Sequence, residues 1–348
     1  MSKEDQFDFL LNSGLERMKI GDISGAILYF EAAISVNSTS QKAWLELGKA
    51  QSKNENDRKA ISALKRSLSL DDNNLDAWMG LAICYTNETS TNDACYALKE
   101  WITRNEKYCD FFDKYSIQAT NDKKYEGPTP LWKRWNDASE NDLFQTLTKS
   151  FIDSAVSASS MGAKPDPDVQ VALGVLYSLN GEYSKSADCF KTAVMCSQDD
   201  HTLWNRLGAT LANGGQPEAA VEAYKRALDL YPGYSRARYN LAISCILMRS
   251  HNEAIEHLLT ILNHQEKGAK NAIECMKTES SLAKIFDNPS KLTSNVIWNT
   301  LASALIQVDK ENLYEAVQKR DLALLNNELM LNNDLVEKNH SSGILDNI

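Results

Sequence analysis

The sequence predicts an all-α superhelix of stacked helix pairs, and three observations carry that prediction. Trp44, Leu47 and Gly48 recur as Trp78, Leu81 and Ala82, and Leu207-Gly208 recurs as Leu241-Ala242, each set displaced by one step of 34 residues. Frames beginning at residues 7, 41, 75, 167, 201 and 235 place a small residue at repeat position 20 six times, as Ala26, Ala60, Ala94, Ser186, Ala220 and Ala254. The same frames place a large apolar residue at position 24, as Phe30, Leu64, Leu98, Phe190, Tyr224 and Leu258. A helix pair of this size leaves one apolar face uncovered, so it must stack on neighbours and several repeats are needed before any is stable.

The 34-residue step is the tetratricopeptide period. Position 8 is Gly or Ala because two antiparallel helices cross there, and the small residue at position 20 meets it; a larger side chain would hold the pair apart. The predicted architecture is therefore all-α: a tetratricopeptide-repeat superhelix of two repeat triplets joined by a degenerate fourth repeat, with a C-terminal helical cap.

Taken in order, residues 7–108 hold the first triplet. The register fails over 109–166, where Gly127-Pro128-Thr129-Pro130 breaks the chain and Pro165-Asp166-Pro167 ends the segment. Between these breakers Asp142–Ser157 has helical spacing, with Leu143, Leu147, Phe151 and Ala155 on one face, and reads as a degenerate repeat acting as a hinge. The second triplet runs from 167 to 268. A polar loop is expected over 269–295, then a helical cap over 296–332 built from Val296–Gln307 and Leu313–Leu325, then a frayed polar tail over 333–348.

The net charge of −10 and the pI near 5.1 argue against a nucleic-acid ligand, which needs a basic face, and favour a neutral or basic peptide partner. The N-terminus lacks the basic start and apolar stretch of a signal peptide, and no apolar run approaches the roughly 18 residues that span a bilayer. A soluble, intracellular chain is expected. The seven cysteines form no CxxC pair and are read as reduced, small core hydrophobes. The five histidines show no HExxH or His-x-Cys spacing, and no Gly-rich phosphate loop occurs, so no metal, no cofactor and no catalysis are expected.

Function should lie on the concave face. At about 100° per residue, positions 4, 7, 8 and 11 of the first helix of a repeat share one direction and pack. Positions 2, 5, 9, 12 and 13 lie about 140° away and face the groove. They are Ile83, Thr86 and Asn87 from the third repeat, Asn205 and Asn213 from the sixth, and Arg236 from the seventh, with Asn240 one turn later on its edge. Four of these seven are asparagine, a mediocre helix residue whose concentration on one face asks for a reason. A carboxamide carries both donor and acceptor and can pair with the N–H and C=O of an extended peptide whatever its side chains. A guanidinium among amides suits a carboxylate through charge-assisted hydrogen bonds. Arg236 is the cation within the set; Arg206 and Arg238 lie nearby, and the pattern alone excludes neither.

At these residues the chain resembles the cargo-binding half of the peroxisomal targeting signal type 1 receptors. The resemblance is carried by AICYTNE (Ala82–Glu88), LWNRLGATLANG (Leu203–Gly214) and SRARYNLAISC (Ser235–Cys245), and by IWNTL (Ile297–Leu301) and KRDLALL (Lys319–Leu325). It implies a receptor that wraps two repeat triplets around the C-terminal tripeptide of a peroxisomal matrix protein, of the Ser-Lys-Leu type. Such a receptor works in the cytoplasm, cycling to the peroxisome, where docking proteins are its further partners. Residue by residue, Asn87, Asn205, Asn213 and Asn240 match the backbone-binding asparagines, Thr86 and Ile83 match the pocket wall, and Arg236 matches a basic residue serving the carboxylate.

Two departures follow. Where the family usually has another asparagine, this chain has Leu247, which can donate nothing; the loss of one neutral hydrogen bond costs on the order of 1 kcal/mol and implies altered cargo choice. None of the seven tryptophans has Phe or Tyr four residues later, as the family's docking motifs require, so either the chain is an excised cargo-binding domain or docking depends on something else. Two other readings compete: a cochaperone clamping the acidic tail of a chaperone, which would need several Lys and Arg in one triplet, and a scaffold subunit working through its convex face.

Overall fold

The computed structural model describes residues 2–122, 140–160, 162, 164–279 and 293–329. Among these residues the secondary structure is helical, without a strand. The chain divides into two compact units, Met1–Ala237 and Arg238–Ile348.

The first unit contains α1 (Lys3–Lys19), α2 (Ile23–Val36), α3 (Gln41–Lys53), α4 (Asp57–Leu70), α5 (Leu75–Asn87) and α6 (Thr91–Arg104). It continues through α7 (Cys109–Asp122), α8 (Glu140–Ser160), α9 (Pro167–Leu179), α10 (Tyr183–Cys196), α11 (His201–Asn213) and α12 (Pro217–Leu230) to the start of α13 (Ser235–Leu247). Helix starts are set by short polar side chains. Asp22, Ser40, Asn74, Asp166 and Asp200 each accept a hydrogen bond from a backbone N–H two or three residues on, satisfying a donor that the first helical turn leaves open. The tryptophan that recurs at repeat position 4 ties the preceding turn to its own helix: the indole N–H of Trp44, Trp78 and Trp204 donates to the carbonyl of Ser38, Asp72 and Gln198, respectively.

Within each pair the crossing follows the sequence pattern. Ala26, Ala60, Ala94, Ser186, Ala220 and Ala254 are all fully buried, and Ser186 satisfies its hydroxyl by donating to the Gly174 carbonyl at 2.7 Å. The tightest approach at position 8 is to position 24 rather than position 20. A Cβ added at Gly174 would stand 2.7 Å from the Phe190 ring, and one at Gly208 would stand 2.6 Å from the Tyr224 ring. Alanine occupies position 8 in the frames where position 24 is Leu98 or Leu258, and glycine occupies it wherever position 24 is aromatic.

In the segment expected to be a degenerate repeat, Leu147 and Phe151 of α8 are fully buried, while Leu143 and Ala155 are part-buried. Lys114 and Tyr115 of α7 both reach the Asp153 carboxylate, at 2.8 and 2.6 Å. The expected break at Gly127–Pro130 lies outside the described residues.

The first unit also closes on itself. The Tyr231 hydroxyl donates to the Met18 carbonyl, and Gly233 packs against the backbone of Gly21, leaving no room for a Cβ. His201 stacks on Tyr231 with centroids 4.6 Å apart, and the Lys53 ammonium lies 5.1 Å from the same ring.

The second unit comprises the rest of α13, α14 (His251–Glu279), α15 (Asn295–Gln307), a 3₁₀ turn (Glu311–Leu313), α16 (Tyr314–Lys319) and a helix, α17, over 322–329. Here the structure departs from the polar loop expected from residue 269: α14 runs on to Glu279. Ala269, Ala272, Ile273 and Met276 recur at helical spacing and are buried, so an apolar stripe carries the helix past the polar residues. The cap is also split. Arg320 adopts a left-handed conformation (φ 55°), separating α16 from α17 where one helix over Leu313–Leu325 was expected. The cap packs on α14 through the side-chain amides of Asn263 and Asn326, which exchange hydrogen bonds at 3.0 and 2.9 Å. The expected tail over 333–348 lies outside the described residues. Cys84, Cys95 and Cys245 are buried core residues, but Cys275 is exposed, contrary to the reading of all seven as core.

Candidate functional site

The third, sixth and seventh frames put the sequence-predicted residues on α5, α11 and α13. In the first unit, Ile83 and Thr86 are part-buried, Asn87 and Asn213 are exposed, and Asn205 is buried. The Thr86 hydroxyl donates to the Ala82 carbonyl one turn back at 2.7 Å. The side-chain amide of Asn213, the last residue of α11, makes no hydrogen bond to another described residue. In the second unit, Asn240 is part-buried and Leu247 is 62% exposed.

Arg236 is where the structure corrects the sequence. Its guanidinium is not an available cation. It donates to Asp57 Oδ2 at 2.8 Å, to Glu55 Oε1 at 3.2 Å and to the Ser52 carbonyl at 2.7 Å, and the residue is 7% exposed. Burial works to lower its pKa, but Glu55 and Asp57 outweigh that and hold it above the ordinary guanidinium value. The reason lies in the turn between α3 and α4, where Glu55 takes a left-handed conformation (φ 63°) and Asp57 opens α4, bringing two carboxylates to one point. Asp57 is shared: its other oxygen accepts from the Asn87 amide at 3.2 Å. Asn87 and Arg236 are thus brought together through a residue that the repeat pattern did not single out. Glu55 is unevenly served, since its Oε2 is buried without a hydrogen-bond partner among the described residues, and burial pushes its pKa up to about 7 against the pull of Arg236.

Arg206, next to Asn205 on α11, is the contrasting cation. It is part-buried and makes no hydrogen bond or ion pair with another described residue. Burial holds its pKa below the ordinary guanidinium value; Tyr234, Asp200, Cys84 and Asp168 pull the other way from a distance. A part-buried guanidinium not directly paired is a centre of positive potential suited to an anion. The signal that could have found it was available: it is a charged residue directly beside a groove asparagine in LWNRLGATLANG. Position 6 lies outside both helical-wheel sets, which is why spacing passed over it. Lys53 contributes to the same interior, its pKa lowered by burial, while burial and Lys53 together push His201 down to about 4.

A cavity of about 590 Å³ lies elsewhere in the first unit, lined by Thr89, Ser90, Asp93, Phe144, Leu179 and Asn180 among others, and contains none of the sequence-predicted residues. Among the described residues, no helix is long and apolar enough to cross a membrane.

The tetratricopeptide-repeat family matches residues 11–74 and 212–270. Among curated proteins, the chain is 40% identical over 307 residues to a peroxisomal targeting signal receptor of Candida albicans, covering 88% of this chain and 47% of that one. It is 41% identical over 262 residues to the receptor of the same name in Yarrowia lipolytica, covering 75% and 41%. It is 36% identical over 249 residues to that of Saccharomyces cerevisiae, covering 72% and 38%. The chain spans less than half the length of these relatives.

Proposed function

We infer that this chain, a member of the peroxisomal targeting signal receptor family, binds the free C-terminal tripeptide, of Ser-Lys-Leu type, of proteins addressed to the peroxisome. The observation that carries the reading is Arg206, a part-buried guanidinium without an ion pair among the described residues, adjacent to the buried residue Asn205. A ligand carboxylate supplies what this guanidinium lacks through charge-assisted hydrogen bonds worth roughly 1.5–3 kcal/mol each. The carboxamides of Asn87, Asn205 and Asn213 suit an extended peptide backbone, and Thr86 and Ile83 suit the wall of a side-chain pocket.

In this reading Arg206, not Arg236, meets the carboxylate, and Arg236 serves as a structural tie. Asn240 and Leu247 keep the roles that the family resemblance gives them, each to be tested on its own. The protein acts as a receptor and not as an enzyme, in the cytoplasm with cycling to the peroxisome, and its partners are matrix cargo tails and peroxisomal docking proteins.

The test is fluorescence polarisation with a labelled peptide ending in Ser-Lys-Leu, its C-terminally amidated twin, and a Met-Glu-Glu-Val-Asp peptide. Tight binding of the first alone, weakened in Asn213→Ala, supports the reading. Equal binding of the amidated twin sinks it, and preference for the acidic tail would indicate a chaperone clamp instead.

A further inference from the structure

The geometry points to a metal site of zinc class in the second unit, formed by Cys245, Glu253 and His257. Cys245 lies near the end of α13, while Glu253 and His257 lie in the first two turns of α14. One ligand atom from each, the cysteine sulfur, a carboxylate oxygen and an imidazole nitrogen, lie within 4.8 Å of one another. Three points so related have a common centre no more than about 2.8 Å from each, by the geometry of the triangle. Zinc bonds run to about 2.0–2.3 Å, so each donor has to move inward by less than about 1 Å, within the reach of rotamer adjustment.

The element arrangement explains how these groups meet. Glu253 and His257 are four residues apart and therefore stand one above the other on a single helix face, with His257 Nε2 3.9 Å from Glu253 Oε1. An ordinary helix-surface pair would stop there. Here the thiol of Cys245, on the preceding helix, joins the same cluster although the residue is only 1% exposed. A thiolate, an imidazole and a carboxylate together form a borderline donor set, which suits Zn²⁺ better than the all-oxygen cations Mg²⁺ or Ca²⁺. Glu253 is exposed and His257 part-buried, so the carboxylate side of the cluster is open to solvent while the sulfur is buried. Binding replaces the proton of the Cys245 thiol with a metal–sulfur bond and releases that proton to the buffer. Sequence spacing hid the site, because its donors come from two helices and match no compact motif.

An ion held there would fasten α13 to α14, the two helices of the last repeat. The test uses the 348-residue chain, freed of metal by chelator and titrated with Co²⁺ as a spectroscopic stand-in and then with Zn²⁺. A thiolate-to-cobalt charge-transfer band, displaced by zinc, and a zinc-dependent rise in Tm are expected. Cys245→Ser should abolish the band, and His257→Gln should weaken zinc binding at least about tenfold, the loss seen even for outer partners of metal ligands. Far-ultraviolet circular dichroism without metal confirms that both variants are folded; His257→Gln decides the matter if the buried cysteine variant is not. Absence of the band in the folded wild-type chain, or zinc affinity unchanged in folded His257→Gln, overturns the site.

Discussion

Arg236 on α13 and Asp57 at the start of α4 are 179 residues apart in the sequence and 2.8 Å apart in space, Nη2 donating to Oδ2. With Glu55 and the Ser52 carbonyl on the same guanidinium, the contact ties the turn before α4 to the first residues of α13 within the first unit. It is a buried charge cluster, whose removal by halves is costly because the remaining charge loses its partner.

Arg236→Met therefore leaves Asp57 and Glu55 buried without their cation, and a loss of about 3–5 kcal/mol in unfolding free energy is expected. Asp57→Ala combined with Arg236→Met should cost clearly less than the sum of the two single changes. Urea denaturation of the four proteins in a double-mutant cycle measures this, and strict additivity would show that the contact carries no coupling.

Glu55 makes the closure sensitive to pH. Its folded pKa, about 7, stands above the ordinary 4.5, so between these values the folded chain holds a proton that the unfolded chain has lost. The contribution of this residue is fully present below about pH 4.5 and is lost as pH rises through about 7. Glu55→Gln mimics the protonated side chain, and the stability difference between wild type and variant should shift in favour of the variant across that window. A difference that stays flat with pH would contradict the assignment.

Arg206→Gln removes a part-buried cation without an ion pair among the described residues, so no more than a small loss of stability is expected, together with a loss of about tenfold or more in affinity for a Ser-Lys-Leu peptide. The informative quantity is the preference for the free acid over the amidated peptide. It should collapse in Arg206→Gln and persist in Asn213→Ala, because only the first change removes the charge that reads the carboxylate.

The crossing of α11 and α12 yields a compensating pair. Gly208→Ala places a methyl 2.6 Å from the Tyr224 ring and should destabilise by about 1–3 kcal/mol despite the better helix propensity of alanine. Adding Tyr224→Leu recreates the combination present at Ala82 with Leu98 and should recover part of that loss, as read by thermal denaturation.

Leu247→Asn restores the amide that the related receptors usually carry. If Leu247 narrows cargo choice, the variant should bind a panel of standard tripeptide tails several-fold more tightly than wild type, a change of roughly 1 kcal/mol. An unchanged panel would mean that this exposed position does not touch cargo.

Much of the fold was legible because the repeat writes the same packing solution six times. Ala60 is small and Leu64 large for local reasons, since both belong to one helix pair and meet a partner within 34 residues. The limits of α14 were harder to read. Lys267, Lys270 and Asn271 suggest a loop if polarity alone is counted, whereas Ala269, Ala272, Ile273 and Met276 bury a stripe that polarity conceals. The site divided in the same way. The positions of Asn87, Asn205 and Asn213 followed from helical periodicity, but whether Arg236 or Arg206 held a spare charge could not, because that depends on which carboxylates approach from other repeats.

The sequence by itself determined the repeat, the pairing of its helices and the concentration of asparagines at positions predicted to face the groove, since these are set by spacing within about 34 residues. Only the tertiary structure decided that Asp57 and Glu55 claim Arg236, that Arg206 has no ion pair among the described residues, and that Cys245 meets Glu253 and His257. Charge pairing and ligand clusters are settled by distances between residues that periodicity does not relate, and those distances exist only once the repeats have stacked and closed.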